Sequence, residues 1–338
     1  MNNNPSVRNL GEIKLIKLIE ELILKKTGKA LIRDDSFFFS LKDKKLDDNL
    51  VLNSDMLVST TDVPPHMNFF QIGWKSVMMN LSDLIVKGVK PQGIVISLGL
   101  PRELKKENFI DMVTGMIECS LKFKIDYIGG DINETKELII NPAIFGFRNP
   151  SKIIYRKGIR SNDILAINNK FGLTGVGFDI LLKRKGDIKN FSDYKRSLQS
   201  VLEPNISERE AFILSENKLA TSSIDSSDGL AKSLLDLMAS NPHCGFEINL
   251  GENLIDSEAK KYSKEFNVPL ENLIFNGGEE FIHLFTIKPE EFSKSQEIIQ
   301  TKGGNLFKIG RVIQEENIYI LKNNKRSELN IQGFEHFN

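Results

Sequence analysis

The chain has 338 residues, 45 of them basic and 45 acidic, and 40% are hydrophobic. That length suits two domains that each bury a core, and the balanced charge gives no electrostatic case for a nucleic-acid partner. Cys119 and Cys244 are too isolated for a disulfide framework or a cysteine metal motif, and Met1-Asn2-Asn3-Asn4-Pro5 lacks the pattern of a signal peptide, so a reducing, cytoplasmic setting is expected.

In chain order, residues 9–26 predict a helix with an apolar stripe of Ile13, Ile16, Ile19, Leu22 and Ile23, stopped by Thr27-Gly28. Its charges, Lys14, Lys17, Glu20 and Glu21, argue against a membrane span. Arg33-Asp34-Asp35-Ser36 leads into a strand at 37–41. Asp47-Asp48-Asn49 turns the chain into a strand at 50–52 that runs into Asn53-Ser54-Asp55, and Val63-Pro64-Pro65 is an extended loop. Residues 71–87 read as a helix stopped by Gly88, with Pro91 beyond. Asp83 then lies near the helix C-terminus, where the backbone dipole disfavours negative charge. It needs a compensating cation, either Lys87 four residues on or a bound metal, with Asn80 and Ser82 nearby to fix it. A strand at 93–100, a helix at 103–122, a strand leading into Gly129-Gly130-Asp131 and a strand at 138–147 complete an α/β or α+β domain, residues 1–148.

Arg148-Asn149-Pro150-Ser151 reads as a linker into a second domain, residues 149–338. A strand at 164–167 precedes Phe171-Gly172-Leu173-Thr174-Gly175-Val176-Gly177, a turn opening a helix. That turn is either simply tight or an anion-binding helix start. Helices near 193–202 and 208–218 follow, and Ser222-Ser223-Ile224-Asp225-Ser226-Ser227-Asp228-Gly229-Leu230 joins a strand to a helix. There is no phosphate-loop motif, since Gly28-Lys29 is followed by Ala30. His66, His243, His283 and His336 form no ligand pair, and His283 reads as a core residue in an apolar strand.

Acids recur where elements end: Asp34, Asp35, Asp55, Asp62, Asp83, Asp131, Asp225, Asp228, Glu279 and Glu280. α/β folds place ligands at strand ends, and hard cations such as Mg²⁺ join one or two carboxylates to substrate phosphates. Asp also favours turns and caps, and Asp228 before Gly229-Leu230 reads as an N-cap.

Six strings in order carry a resemblance: Asn53-Ser54-Asp55-Met56-Leu57-Val58 with Thr61-Asp62-Val63-Pro64-Pro65, Asn80-Leu81-Ser82-Asp83-Leu84-Ile85-Val86-Lys87-Gly88, Gly129-Gly130-Asp131, Asp225-Ser226-Ser227-Asp228-Gly229-Leu230, Gly277-Gly278-Glu279-Glu280-Phe281, and Gly333-Phe334-Glu335-His336-Phe337. Over nearly the whole chain the sequence resembles the thiamine-monophosphate kinases, archaeal form, of the aminoimidazole-ribonucleotide-synthetase (PurM-like) superfamily. The resemblance implies a two-domain fold, with an N-terminal sheet pairing across a homodimer, a C-terminal α/β sandwich and a site between domains. It implies in-line transfer of the γ-phosphoryl group of ATP to thiamine monophosphate, without a phosphoenzyme, assisted by several Mg²⁺ ions. By position, Asp35, Ser54, Asp55, Asp83, Asp131, Asp225 and Asp228 resemble the metal ligands. Gly130, Asp131, Arg156 and Ser227 resemble ATP contacts, and Asp62, Glu279 and Phe334 substrate contacts. Asp83, Asp131 and Arg156 are the expected catalytic groups.

The chain departs from the family pattern at Arg33, where Gly is usual, at Ile132, where Thr is usual, and through residues 157–163. The family's Glu-Asp-Tyr-Glu-Leu is here Glu279-Glu280-Phe281-Ile282-His283. The alternatives are another ATP-dependent enzyme of the superfamily or a nucleotide-binding scaffold without catalysis. The first is disfavoured by the lack of a reactive Cys near the N-terminus or at the end of the chain.

Overall fold

The computed structural model describes residues 6–31, 45, 47–184, 188–323 and 325–329. Arg33, Asp34, Asp35, the strand expected at 37–41 and Phe334 lie outside them. The chain divides into two units, Met1–Leu84 with Lys90–Asn149, and Ile85–Val89 with Pro150–Asn338.

The first unit opens with α1 (Val7–Leu10) and α2 (Glu12–Thr27). The single helix expected here is broken at Gly11, which stands at φ 73°, and Gly28 in the left-handed region closes α2. The buried stripe also differs from expectation. Leu15, Ile19 and Ile23, spaced by four, face the core, while Ile13 is 70% exposed. A strict four-residue spacing forms one ridge on a helix, and that ridge sets the packed face.

Then come β1 (Asn49–Asn53), β2 (Leu57–Val58), α3 (Ser59–Asp62), α4 (Phe69–Val86), β3 (Pro91–Leu100), α5 (Lys106–Lys122), β4 (Asp126–Glu134) and β5 (Ile139–Arg148). The sheet runs β1-β5-β3-β4, with β2 also on β5. Only β3 and β4 run parallel, joined through α5. Ile94, Ile96, Leu98 and Leu100 bury one face of β3 at the two-residue period of a strand. Val77, Met78, Leu81 and Leu84 line the buried side of α4.

α4 and α5 cross backbone against backbone. A Cβ on Gly73 would lie 1.9 Å from the Met112 carbonyl oxygen, and one on Gly115 would lie 2.0 Å from that of Phe70. Neither position has room for a side chain, so the reciprocal glycines set how close the helix bearing Asp83 comes to its neighbour.

The second unit holds β6 (Ile164–Ile167), α6 (Leu173–Phe178), α7 (Lys195–Leu202), α8 (Arg209–Glu216), β7 (Ala220–Ser226), α9 (Leu230–Ser240), β8 (Gly245–Asn249), α10 (Ser257–Phe266), α11 (Leu270–Phe275), β9 (Ile282–Ile287), α12 (Pro289–Thr301), β10 (Phe307–Ile313), β11 (Ile318–Lys322) and β12 (Lys325–Glu328). Its sheet runs β12-β11-β8-β10-β6-β9-β7. The β8–β11 pair is parallel and the others are antiparallel. All six residues of β9 are buried, as expected for an inner strand covered on both faces. Phe171, Phe246, Tyr262 and Phe275 are the large side chains of this core. Among the described residues no helix is long and apolar enough to cross a membrane.

Candidate active site

In the first unit, the end of β1 and the last turns of α4 bring two of the expected acids together. Asn53, the last residue of β1, donates from Nδ2 to Oδ2 of Asp83 at 2.8 Å and to Oδ2 of Asp55 at 3.1 Å. Two like charges thus share one amide donor, an arrangement that a cation stabilises. Asn80, three residues before Asp83 and fully buried, fixes the main chain of Asp55. Its Oδ1 accepts from the Asp55 N–H at 2.8 Å, and its Nδ2 donates to the Asp55 carbonyl at 3.0 Å. The expectation that Asn80 steadies Asp83 is corrected: a helix-borne amide reaches across to the loop after β1, and Asn53 holds Asp83. Asn53 went unremarked as a site residue, although a carboxamide one residue before Ser54-Asp55 at a strand end was its signal.

Ser54 donates its hydroxyl to the Pro142 carbonyl at 2.8 Å. Asp62, the last residue of α3, uses Oδ2 to accept from the Val58 N–H at 2.6 Å and so closes that single turn on the residue before it. Lys75, 1% exposed, donates its ammonium to the Asp62 carbonyl at 2.5 Å and holds the same turn. Asp131 does not follow the end of a strand, as expected, but lies inside β4, opposite Ser97 of β3. The pairing continues through the two glycines because Gly130 lets the strands approach: a Cβ there would lie 1.9 Å from the Ile96 carbonyl oxygen. Asp131 is exposed.

In the second unit, Asp225 sits near the end of β7 and is 4% exposed, and Ser226 beside it is fully buried. Ser227 and Asp228 form the turn into α9. Asp228 is not the N-cap it was expected to be. Gly229 holds that position at φ 95°, and no side chain caps the helix. Lys87 reaches this strand, donating to the Ser223 carbonyl at 2.5 Å, while the Ser223 hydroxyl donates to the Val86 carbonyl at 2.8 Å. Arg156 is exposed, and its guanidinium makes no ion pair among the described residues. The loop before β9 packs on the acid turn through its main chain. The Glu279 N–H donates to the Ser227 carbonyl at 2.5 Å, and the Phe281 N–H to that of Ser226 at 2.9 Å.

The glycine-rich turn before α6 meets a carboxyl group of the chain itself. Oε1 of Glu280 accepts from the N–H groups of Gly172 at 2.6 Å and Thr174 at 3.3 Å. Burial pushes the Glu280 carboxyl up to about 7, against the pull of those two donors. On β9, His283 pairs in register with Asp225. It is fully buried, and neither ring nitrogen has a hydrogen-bond partner. Burial pushes its pKa down to about 3, with the Lys87 charge adding to the effect.

Among the described residues no three His, Cys, Asp or Glu side chains are grouped as a metal cage. The Asp55–Asp83 pair and the hydroxyl and carboxylate oxygens at the end of β7 suit Mg²⁺, which takes one or two carboxylates and completes its shell with water and phosphate.

Comparison with known proteins adds to these observations. The model of AIR synthase related protein, N-terminal domain, matches residues 33–147. A thiamine-monophosphate kinase of Nitrosopumilus maritimus is 32% identical over 97% of this chain and 99% of its own. One of Pyrococcus horikoshii is 30% identical over 90% of both chains. A solved structure of AaThiL complexed with AMPPCP and TMP covers 98% of each chain at a TM-score of 0.75 and 26% identity. The hydrogenase maturation protein HypE of E. coli superimposes at a TM-score of 0.73 over 95% of this chain, with 17% identity, and shares the fold.

Proposed function

The chain belongs to the thiamine-monophosphate kinase family, and from that membership we infer that it transfers the γ-phosphoryl group of ATP to thiamine monophosphate, giving thiamine diphosphate and ADP. The observation that carries this is the 32% identity with a thiamine-monophosphate kinase along 97% of the chain. The solved complex of a neighbour with an ATP analogue and TMP supports the substrate pair. The catalytic task is alignment and charge neutralisation, because an acceptor phosphate oxygen is already ionised and needs no strong base.

The chain's own residues divide this work. Asn53 orients Asp55 and Asp83 toward one point. Those two acids, with Ser54, Asp131, Asp225, Asp228 and Asp35, are the oxygen donors for several Mg²⁺ ions. When bound, Mg²⁺ neutralises the phosphate oxygens that would otherwise repel each other. The exposed Arg156 offers a planar fork to a phosphate, Ser227 presents a hydroxyl, and the exposed main chain at Gly130 meets the nucleotide. Asp62, Glu279 and Phe334 take the thiamine substrate. Residues 1–148 form the nucleotide and metal domain and residues 149–338 complete the site. The protein works as a homodimer in the cytoplasm. Leu50 and Leu52, 53% and 64% exposed on the outer strand β1, support the dimer, and the free cysteines suit a reducing compartment.

Purified protein given ATP, Mg²⁺ and thiamine monophosphate is expected to form thiamine diphosphate, read by chromatography. Nucleotide binding without product would point instead to a scaffold. Asp83→Asn is expected to lower kcat by about 10²–10³-fold with an unchanged melting temperature. Near-normal turnover would remove Asp83 from the metal set.

A further inference from the structure

The segment from Gly277 to Phe281 is held in a shape its residues do not favour. Glu279 and Phe281 stand at φ 58° and 48°, in the left-handed region that side chains disfavour. Such geometry persists where the surroundings over-determine it, and it gathers at functional sites. Three consecutive residues are anchored here, and in alternation. Residues 279 and 281 are tied by their N–H groups to the carbonyls of Ser227 and Ser226. Residue 280 is tied by its side chain to a second neighbour, the N–H groups of Gly172 and Thr174 that open α6. That second anchor is closely packed: a Cβ on Gly172 would lie 2.6 Å from the Ala259 Cβ, so the turn lies against α10. Glu280 thus ties the segment to the start of α6 through its side chain, while the main chain on either side ties it to the acid turn.

On the reading that Glu279 meets the thiamine substrate, we propose that Glu280 is a positioning residue for that contact: clamped on the two N–H groups before α6, it sets the direction in which Glu279 is presented, and it does not touch substrate itself. The clamp needs an acceptor oxygen at the end of the side chain and not a charge. Glutamine supplies such an oxygen; methionine, of similar length, does not.

Steady-state kinetics with both substrates varied tests this on Glu280→Ala, Glu280→Met, Glu280→Gln and Glu279→Gln. Glu280→Ala and Glu280→Met are expected to raise the KM for thiamine monophosphate about tenfold or more while the KM for ATP stays within about twofold. Glu280→Gln is expected to restore both values to near wild type. A purely structural cap would lower the melting temperature and the active fraction and leave both KM values alone, which overturns the proposal. If Glu280→Ala does not fold, the methionine–glutamine pair decides. Should Glu279→Gln leave the KM for thiamine monophosphate unchanged, the reading of Glu279 fails. Should it raise that KM while Glu280→Met does not, the positioning role alone fails.

Discussion

Two single residues near the acid turn respond to pH in opposite directions. His283 has an ordinary value of 6.5 and is pushed down to about 3 in the folded protein. Below pH 6.5 the unfolded chain takes up a proton that the folded chain refuses, so stability is lost as pH falls from 6.5 toward 3. Glu280 has an ordinary value of 4.5 and is pushed up to about 7. Its protonated form is the one the fold favours, so its contribution is present below pH 4.5 and is lost as pH rises through 7. Melting temperatures measured from pH 4 to 8 are expected to show both slopes. His283→Leu should flatten the acid side and stabilise the protein by about 1–3 kcal/mol, since it removes two unpartnered buried nitrogens. Glu280→Gln should flatten the side above pH 4.5. A His283→Leu variant that is less stable at pH 5 would show that the ring has a partner in solution.

At this scale the acids were legible in the sequence and their partners were not. Asp55, Asp83, Asp225 and Asp228 announce themselves by following strands or ending a helix. The amide of Asn53 that joins two of them, and the reach of Glu280 across 108 residues to Gly172, depend on side-chain directions that spacing does not carry.

Among the elements, periodicity located most helices and strands, and failed where close contact overrode it. β4 continues through Gly129-Gly130 after a register shift just before them, because Gly130 without a Cβ can lie against Ile96 of β3. The buried stripe of α2 keeps the expected Ile19 and Ile23 but takes Leu15 in place of the exposed Ile13 and Ile16. The crossing of α4 with α5 left no periodic signal at all, only Gly73 and Gly115, one in each helix. Replacing Gly115 by Ala would place its methyl carbon 2.0 Å from the Phe70 carbonyl oxygen. Overpacking of this kind costs about 1–3 kcal/mol or more. Calorimetry on Gly115→Ala is expected to show that loss, and kcat is expected to fall because α4 carries Asp83. Gly73 lies ten residues before Asp83, about 15 Å along the helix. A variant with wild-type stability would mean that α5 can move aside freely.

For the whole molecule, the two-unit α/β organisation was legible from the order of elements and from the motif strings, and the expectation of a homodimer came from those strings alone, because a lone chain presents the outer strand β1 simply as an edge. Exposed edges bearing Leu50 and Leu52 are a liability unless covered. Light scattering is expected to report a dimer, and Leu52→Lys is expected to shift it toward monomer at micromolar concentration. A wild-type monomer would assign those leucines elsewhere.

The bond from Lys87 to Ser223 spans 136 residues, and the short segment Ile85–Val89 belongs with residues 150–338 rather than with its own chain neighbours. During synthesis at about 5–20 residues per second, the tail of α4 emerges roughly 7–27 s before the strand it docks on exists. For that interval the Lys87 ammonium lacks its Ser223 acceptor and the Val86 carbonyl its Ser223 donor, so the acid-bearing helix gains these two bonds as a late event in the life of a nascent chain, long after its own sequence has been translated.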